Sequence, residues 1–319
     1  MILSCGVIGV GYLGRFHAQK YKTLPEANLV AVCDINPDLA QSVAHELDVD
    51  AYTNYHDLIG KVDAVSIAAT TKQHYDIAHF FLSHGIHVLL EKPMTETLEQ
   101  ANTLISLAKK HQCLLQIGHL ERFNAARLAL DSHLHKPLFI ESQRLAPFNP
   151  RGSDVNVILD LMIHDIDLIL TMVQSPIIHI DAQGAPVLTS AIDIANARIH
   201  FKNHCVANVS ASRISFKKER KMRIFQRDSY ISIDYQNQQL AVFNKGEGEM
   251  FPGIPDIIQH QSSFEPVDAL YEEIKSFVYA VQHKSTPLVT GEEGRDVLAV
   301  AETISELIHK HIALRDDFN

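Results

Sequence analysis

The stretch LSCGVIGVGYLGRFHAQKYKTL, residues 3–24, decides the fold. Residues 3–10 are mostly small and apolar and read as a buried strand, and residues 12–24 read as a helix. Three glycines join them, each for its own reason. Gly9 permits a tight turn, Gly11 lets a ligand's pyrophosphate approach the backbone, and Gly14 lets helix and strand pack closely. Tyr12 and Leu13 stand between the last two, at the start of the helix, where free N–H groups favour an anion. These residues are expected to contact a dinucleotide. Asp34 lies about twenty residues beyond Gly14, at the end of the next strand, where a carboxylate accepts both ribose hydroxyls. It would repel a 2′-phosphate, and no Arg or Lys follows it in Asp34-Ile35-Asn36-Pro37, so NAD is expected over NADP.

Working outward, the first half alternates short apolar runs with amphipathic stretches. Strands at 28–34, 62–69, 87–90 and 113–117, separated by helices such as 37–47, indicate βαβ units and a parallel sheet. Beyond about Lys136 the pattern changes. One helix is expected at 155–173, followed by strands at 177–184, 192–201, 204–212, 222–226, 230–234 and 239–244, the order of an antiparallel sheet. A Gly- and Pro-containing loop is expected over 246–255 and two helices over 268–282 and 292–310. The fold class is therefore α/β, with a dinucleotide-binding domain at 1–120. An α+β domain at 121–319 would hold the substrate, its last helices packing back on the first domain.

Two loops at the carboxyl ends of parallel strands are candidates for ligand contact, because open α/β sheets bind ligands there. One carries Thr70, Thr71 and His74; capping of the following helix is the competing reading for the threonines. The other is Glu91-Lys92-Pro93, whose lysine can hydrogen-bond a hydroxyl and stabilise an incipient alkoxide. In the expected helix at 155–173, Asn156, Asp160, His164, Asp167 and Thr171 fall on one stripe at about 100° per residue. The stripe has no Lys or Glu, which argues against an ordinary solvent face. Asp160 and His164 are four apart, so the carboxylate can orient the imidazole as a general base. A structural Asp/His pair is the alternative. Asp165 points elsewhere, as a solvated group or an anchor.

The 319 residues are enough for two domains, and 46% hydrophobic with 21% charged residues argues against disorder. A formal net charge of −10 disfavours a general nucleic-acid binder. The balance reverses locally, with Arg213, Lys217, Lys218, Arg220, Lys221, Arg223 and Arg227 against the single Glu219. That patch suits either a diphosphate or the protection of a sheet edge. The four cysteines are far apart and the histidines scattered, so neither a disulfide framework nor a metal site is expected. No signal peptide or membrane span is expected, which makes a cytoplasmic protein the reading.

With those residues in view, the chain resembles the family of glucose-fructose oxidoreductase, inositol dehydrogenase and the rhizopine-catabolism protein MocA. The resemblance covers nearly the whole length. It rests on the glycine triplet, the Thr70 to His74 loop, Glu91-Lys92-Pro93, Gly118-His-Leu-Glu-Arg122-Phe123-Asn, Asp160-x-x-x-His164 and Pro287-Leu-Val-Thr-Gly-Glu-Glu-Gly294. Thr71 and Ala125 stand where the family often has proline. The resemblance implies a large open antiparallel sheet that forms a homodimer or homotetramer, and a catalytic set at Lys92, Asp160 and His164. Arg122 and Asn156 join these three as expected substrate contacts, and Glu91 and Lys92 join the expected cofactor contacts. Residues 157–170, 193–201 and 207–235 are most similar to the sugar-nucleotide members, the UDP-N-acetylglucosamine 3-dehydrogenases among them. NAD-dependent oxidation of a ring hydroxyl is the activity this implies. An inositol or free-sugar dehydrogenase and a non-catalytic cofactor-binding regulator are the alternatives.

Overall fold

A computed structural model describes residues 2–149, 155–265 and 267–316. The chain divides into two compact units, one of Met1–Leu120 with Asp268–Leu298, the other of Glu121–Val267 with Ala299–Asn319.

The first unit holds a six-stranded parallel sheet. Its strands are β1 (Leu3–Ile8), β2 (Ala27–Cys33), β3 (Asp50–Tyr52), β4 (Ala64–Ile67), β5 (His87–Glu91) and β6 (Leu115–Gly118), in the order β3-β2-β1-β4-β5-β6. Every pairing is parallel. Chain direction across the sheet reverses between β1 and β4, and at such a point the crossover loops splay apart and leave a crevice. Helices α1 (Tyr12–Thr23), α2 (Pro37–Leu47), α3 (Thr71–Ser83) and α4 (Leu98–His111) supply the crossovers. Their ends follow local rules. Asn36 caps α2 ahead of Pro37, and Thr97 with Gln100 forms a capping box on α4. Helix α7 (Ala269–His283) completes the unit, adding Leu270, Ile274, Phe277, Val278 and Val281 to a core shared with Val7, Ala18, Tyr21 and Leu89.

The second unit is built on an eight-stranded sheet. Its strands are β7 (Phe139–Leu145), β8 (Ile177–Ala185), β9 (Ile194–Phe201), β10 (Val206–Ser212), β11 (Glu219–Phe225), β12 (Ser229–Asp234), β13 (Gln239–Phe251) and β14 (Ile254–Ser263). They run β14-β13-β12-β11-β7-β10-β9-β8. The sheet is mixed, because β7 pairs with β10 in parallel while its other pairings are antiparallel. One face is apolar, with Ile140, Ala197, Ile199, Ala207, Val209, Met222, Ile224, Ile231 and Ile233 all buried. The helices α5 (Ala125–Leu130) and α6 (Ile163–Val173) belong to this unit, and α8 (Gly291–Asp316) continues into it from the first.

The expected loop at 246–255 is instead the end of a hairpin formed by β13 and β14. The ladder shifts register between Lys245 and Glu249, where Gly246 and Gly248 make room for Asp256. A Cβ on Gly246 would lie 1.9 Å from Asp256 Oδ1, and the Gly248 N–H donates to that oxygen at 3.1 Å. Among the described residues no helix is long and apolar enough to cross a membrane.

Candidate active site

At the carboxyl edge of the parallel sheet, the three glycines meet three different constraints. Gly9 has φ +81°, and a Cβ there would stand 2.7 Å from the Ala69 backbone at the end of β4. A Cβ on Gly14 would lie 1.8 Å from the Gly9 carbonyl oxygen. Around Gly11 there is open space, and α1 begins there without a side-chain cap. That combination leaves both room and free N–H donors for a pyrophosphate. Tyr12 and Leu13 are exposed on the first turn of α1.

Asp34 is anchored at the end of β2, where Oδ2 accepts the Val10 N–H and Oδ1 the Asn36 N–H, both at 2.9 Å. Each oxygen keeps a lone pair for a ribose hydroxyl. These residues fit a dinucleotide. Asp34→Asn should keep the turn but lose the paired anionic acceptors. The expected outcome is an NAD KM about tenfold higher and a smaller preference over NADP, read from initial rates with each cofactor.

Thr70 occupies the cap position of α3, yet its side chain makes no capping hydrogen bond. Its hydroxyl is therefore not spent on the helix. His74 is different. Its ring is buried, with Nδ1 2.8 Å from the Pro93 carbonyl and Nε2 3.0 Å from the Ala69 carbonyl. It ties the Thr70 loop to the Lys92 loop. Burial holds its pKa below the ordinary histidine value, and a neutral ring donates to one of those carbonyls at a time.

Glu91 also turns inward. Its carboxylate accepts from His17 Nε2 at 3.0 Å and from the Lys92 N–H at 3.3 Å, beneath the half-buried Lys92 side chain. Burial opposes ionisation of Glu91, but the His17 hydrogen bond, with His17 and Lys92 nearby, holds its carboxyl below the usual range. These contacts give the Glu91 side chain an anchoring role in the loop. The pattern was available in α1, where Gly14, His17, Ala18 and Tyr21 form the buried face at helical spacing.

In the second unit, the expected helix at 155–173 has two parts. Residues 158–162 form a π-helical turn that contains Asp160, and α6 follows with His164 in its first turn. Helical i→i+5 turns of this kind occur often at functional sites. Asp160 and His164 are both half-buried, unlike most of their neighbours. The π turn shifts the phase of the stripe, so its other members take different roles. Asn156 Oδ1 accepts the Ile158 and Leu159 N–H groups at 3.1 and 3.0 Å, and Nδ2 donates to Ser305 Oγ at 3.2 Å. It caps this helix.

Asp167 is fully buried against Arg122. Arg122 Nη2 donates to Oδ1 at 2.6 Å and Nε to both oxygens at 3.0 and 2.9 Å. Arg122 is 7% exposed, so this is a buried ion pair. Asp165 is an anchor too, accepting from Ser142 Oγ at 2.8 Å and Arg144 Nε at 2.6 Å, while Arg144 Nη1 reaches Glu121 at 2.8 Å. Arg144→Met would strand Asp165 without its cation. A loss of about 3–5 kcal/mol in urea-unfolding stability is expected, because removing one partner leaves a buried charge unpaired.

The basic patch does not form one positive surface. Arg213 is buried on Asp193 at 2.8 Å, Arg220 reaches Glu121 at 3.3 Å, Arg223 reaches Glu141 at 3.3 Å and Lys221 reaches Glu219 at 3.6 Å. Lys217, Lys218 and Arg227 are exposed. Among the described residues no group of three or more His, Cys, Asp or Glu could hold a metal ion, and all four cysteines are free.

Comparison with known proteins agrees with this geometry. Residues 3–119 match the model of the oxidoreductase family with an NAD-binding Rossmann fold, and residues 122–231 match the GFO/IDH/MocA C-terminal domain. A UDP-N-acetylglucosamine 3-dehydrogenase of Acidithiobacillus ferrooxidans is 40% identical over 300 residues, 94% of this chain and 95% of that protein. A solved structure of UDP-N-acetylglucosamine 3-dehydrogenase from that organism superposes with a TM-score of 0.91 at 39% identity, covering 96% of this chain and 97% of the other. A scyllo-inositol 2-dehydrogenase (NAD(+)) of Bacillus subtilis is 27% identical over 308 residues, 90% of this chain and 89% of that protein. The chain thus belongs to the GFO/IDH/MocA oxidoreductases and is an NAD-dependent enzyme that acts on a CH–OH group of a small molecule.

Proposed function

We propose that this enzyme oxidises the C3 hydroxyl of UDP-N-acetylglucosamine to a ketone. The observation that carries the reading is the 40% identity, spanning nearly the whole of both chains, to an enzyme of that name. When bound, NAD supplies the acceptor for a hydride. His164 takes the hydroxyl proton as the C–H hydride departs, and Asp160 orients the imidazole and stabilises its charged form. Lys92 donates to the same oxygen and offsets the negative charge that builds on it before the carbonyl forms. The half-buried setting of all three supports these roles, since partial exclusion of water strengthens each interaction.

Thr70, Thr71 and Tyr12 line the cofactor's side of this reading, with Gly9, Gly11, Gly14 and Asp34. Homo-oligomerisation through the open face of the eight-stranded sheet fits its exposed polar side chains Gln143, Arg198, Lys221 and Arg223. A cytosolic setting is supported by four unpaired thiols. Incubation with NAD and a panel of UDP-sugars, free sugars and inositols tests the substrate. NADH should form fastest with UDP-N-acetylglucosamine. Reaction with inositols alone would favour the second reading, an inositol dehydrogenase, to which the 27% identical relative points.

A further inference from the structure

Behind the Lys92 loop, inside the first unit, lies a set of buried polar groups that the proposed chemistry does not use. Helix α7 packs on α1 and β5 and brings Glu273 into it, with 0% of its surface exposed. Among the described residues, both Glu273 carboxyl oxygens lack a hydrogen-bond partner, as do the neighbouring Gln116 Oε1 and His17 Nδ1. Gln116 is adjacent, since its Nε2 donates to the Glu273 backbone carbonyl at 3.4 Å. His17 Nε2 must donate to Glu91, because an ionised carboxylate only accepts. Gln116 Oε1 and the oxygens of two carboxyl groups leave the buried set rich in acceptors and short of a donor. Gly118 closes the space on the other side, where a Cβ would stand 2.8 Å from Glu91 Oε1.

We propose that Glu273 holds a proton throughout the catalytic cycle, supplying that donor and leaving Glu91 as the one carboxylate of the cluster, so that Glu273 positions Lys92 through Glu91. This rests on the role given to Lys92. Two observations point the same way. The titratable groups facing Glu273 are Glu91 from β5 and Tyr21 from α1, with His17 beyond Glu91, and a second carboxylate there would repel the first. Burial, and then the charge of Glu91, hold the Glu273 carboxyl well above its ordinary range.

The sign of the pH effect follows from linkage. An unfolded Glu273 loses its proton near the ordinary value while the folded one keeps it, so the folded state binds more protons and stability falls as pH rises above that value. Glu273→Gln is uncharged at every pH. Its Tm should match the wild type near about pH 5 and exceed it near about pH 9, and the alkaline limb of kcat should move to higher pH with KM for NAD unmoved.

The direct readout is the infrared carbonyl band of a protonated carboxylic acid at neutral pH. It should be present in the wild type and in Lys92→Met and absent from Glu273→Gln. A band that persists in Glu273→Gln, or Tm and kcat profiles superimposable on wild type, would overturn the proposal. Because Lys92→Met must keep the band, failure of the Lys92 assignment is read separately, from its turnover. Should Glu273→Gln not fold, carbon-13 NMR of glutamate-labelled wild type decides, since one carboxyl must fail to titrate through the acid range.

Discussion

Lys92→Met lowers kcat by about 10³-fold and leaves the affinity for NADH close to that of the wild type. The magnitude is that of removing a positioned donor from an oxygen on which charge develops. Methionine keeps the length and apolar stem of lysine, so the loop and the Glu91–His17 pair beneath it are retained. Their polar contacts run through the Lys92 backbone N–H and the Glu91 carboxylate. Steady-state turnover and fluorescence titration of NADH are the two measurements. His164→Gln should show the same split, and its residual rate should rise with pH, because hydroxide partly replaces the missing base. Turnover within a few-fold of the wild type in either variant would remove that residue from the chemistry.

The second large effect separates the fold of the glycine turn from its use. In Gly14→Val the first added carbon would lie 1.8 Å from the Gly9 carbonyl, so strand and helix must part. A loss of about 1–3 kcal/mol in stability is expected, together with loss of measurable NADH binding. Gly11→Ala is the informative contrast. Nothing stands within 4 Å of its Cβ, so thermal stability should not change. The methyl group would instead occupy the space that a pyrophosphate needs, and NADH affinity should fall at least tenfold. Equal NADH affinity in Gly11→Ala and the wild type would place the cofactor elsewhere. The pair of variants needs only calorimetry and one binding assay.

The parallel half of the molecule was legible because its strands are buried on both faces and read as apolar runs between helices. The mixed sheet was harder. Strand β7, with the sequence FIESQRL, carries Glu141 and Arg144 and looks like a loop, yet it pairs in parallel with β10. Arg144 and Ser142 there are buried because Asp165 and Glu121 meet them, and pairing of that kind across distant segments leaves no local pattern. The β13–β14 hairpin was obscured in the same way, since Gly246 and Gly248 are small to admit Asp256 rather than to make a turn.

At the candidate site, motif spacing singles out loops but not the direction of each side chain. Gly9, Gly14 and Asp34 act through the backbone or a short side chain, so position nearly determines role. His74, Glu91, Arg122 and Asn156 have longer reach or alternative partners, and each turns toward protein groups that lie far away or across a helix end. The π turn at 158–162 also has no periodic signature of its own. It displaces the phase of Asp160 relative to α6, which is why the stripe read at a single helical period mixed two candidate catalytic residues with a cap and a buried ion-pair partner.

The most direct test of the account follows the atom that leaves the sugar. UDP-N-acetylglucosamine carrying deuterium at C3 is incubated with NAD and the enzyme, and the reduced cofactor is isolated for mass spectrometry. One deuterium per molecule of reduced cofactor formed is expected, carried on the nicotinamide ring, with a keto sugar lacking it. Reduced cofactor without the label, formed while the C3 deuterium stays on the sugar, would contradict oxidation at that carbon.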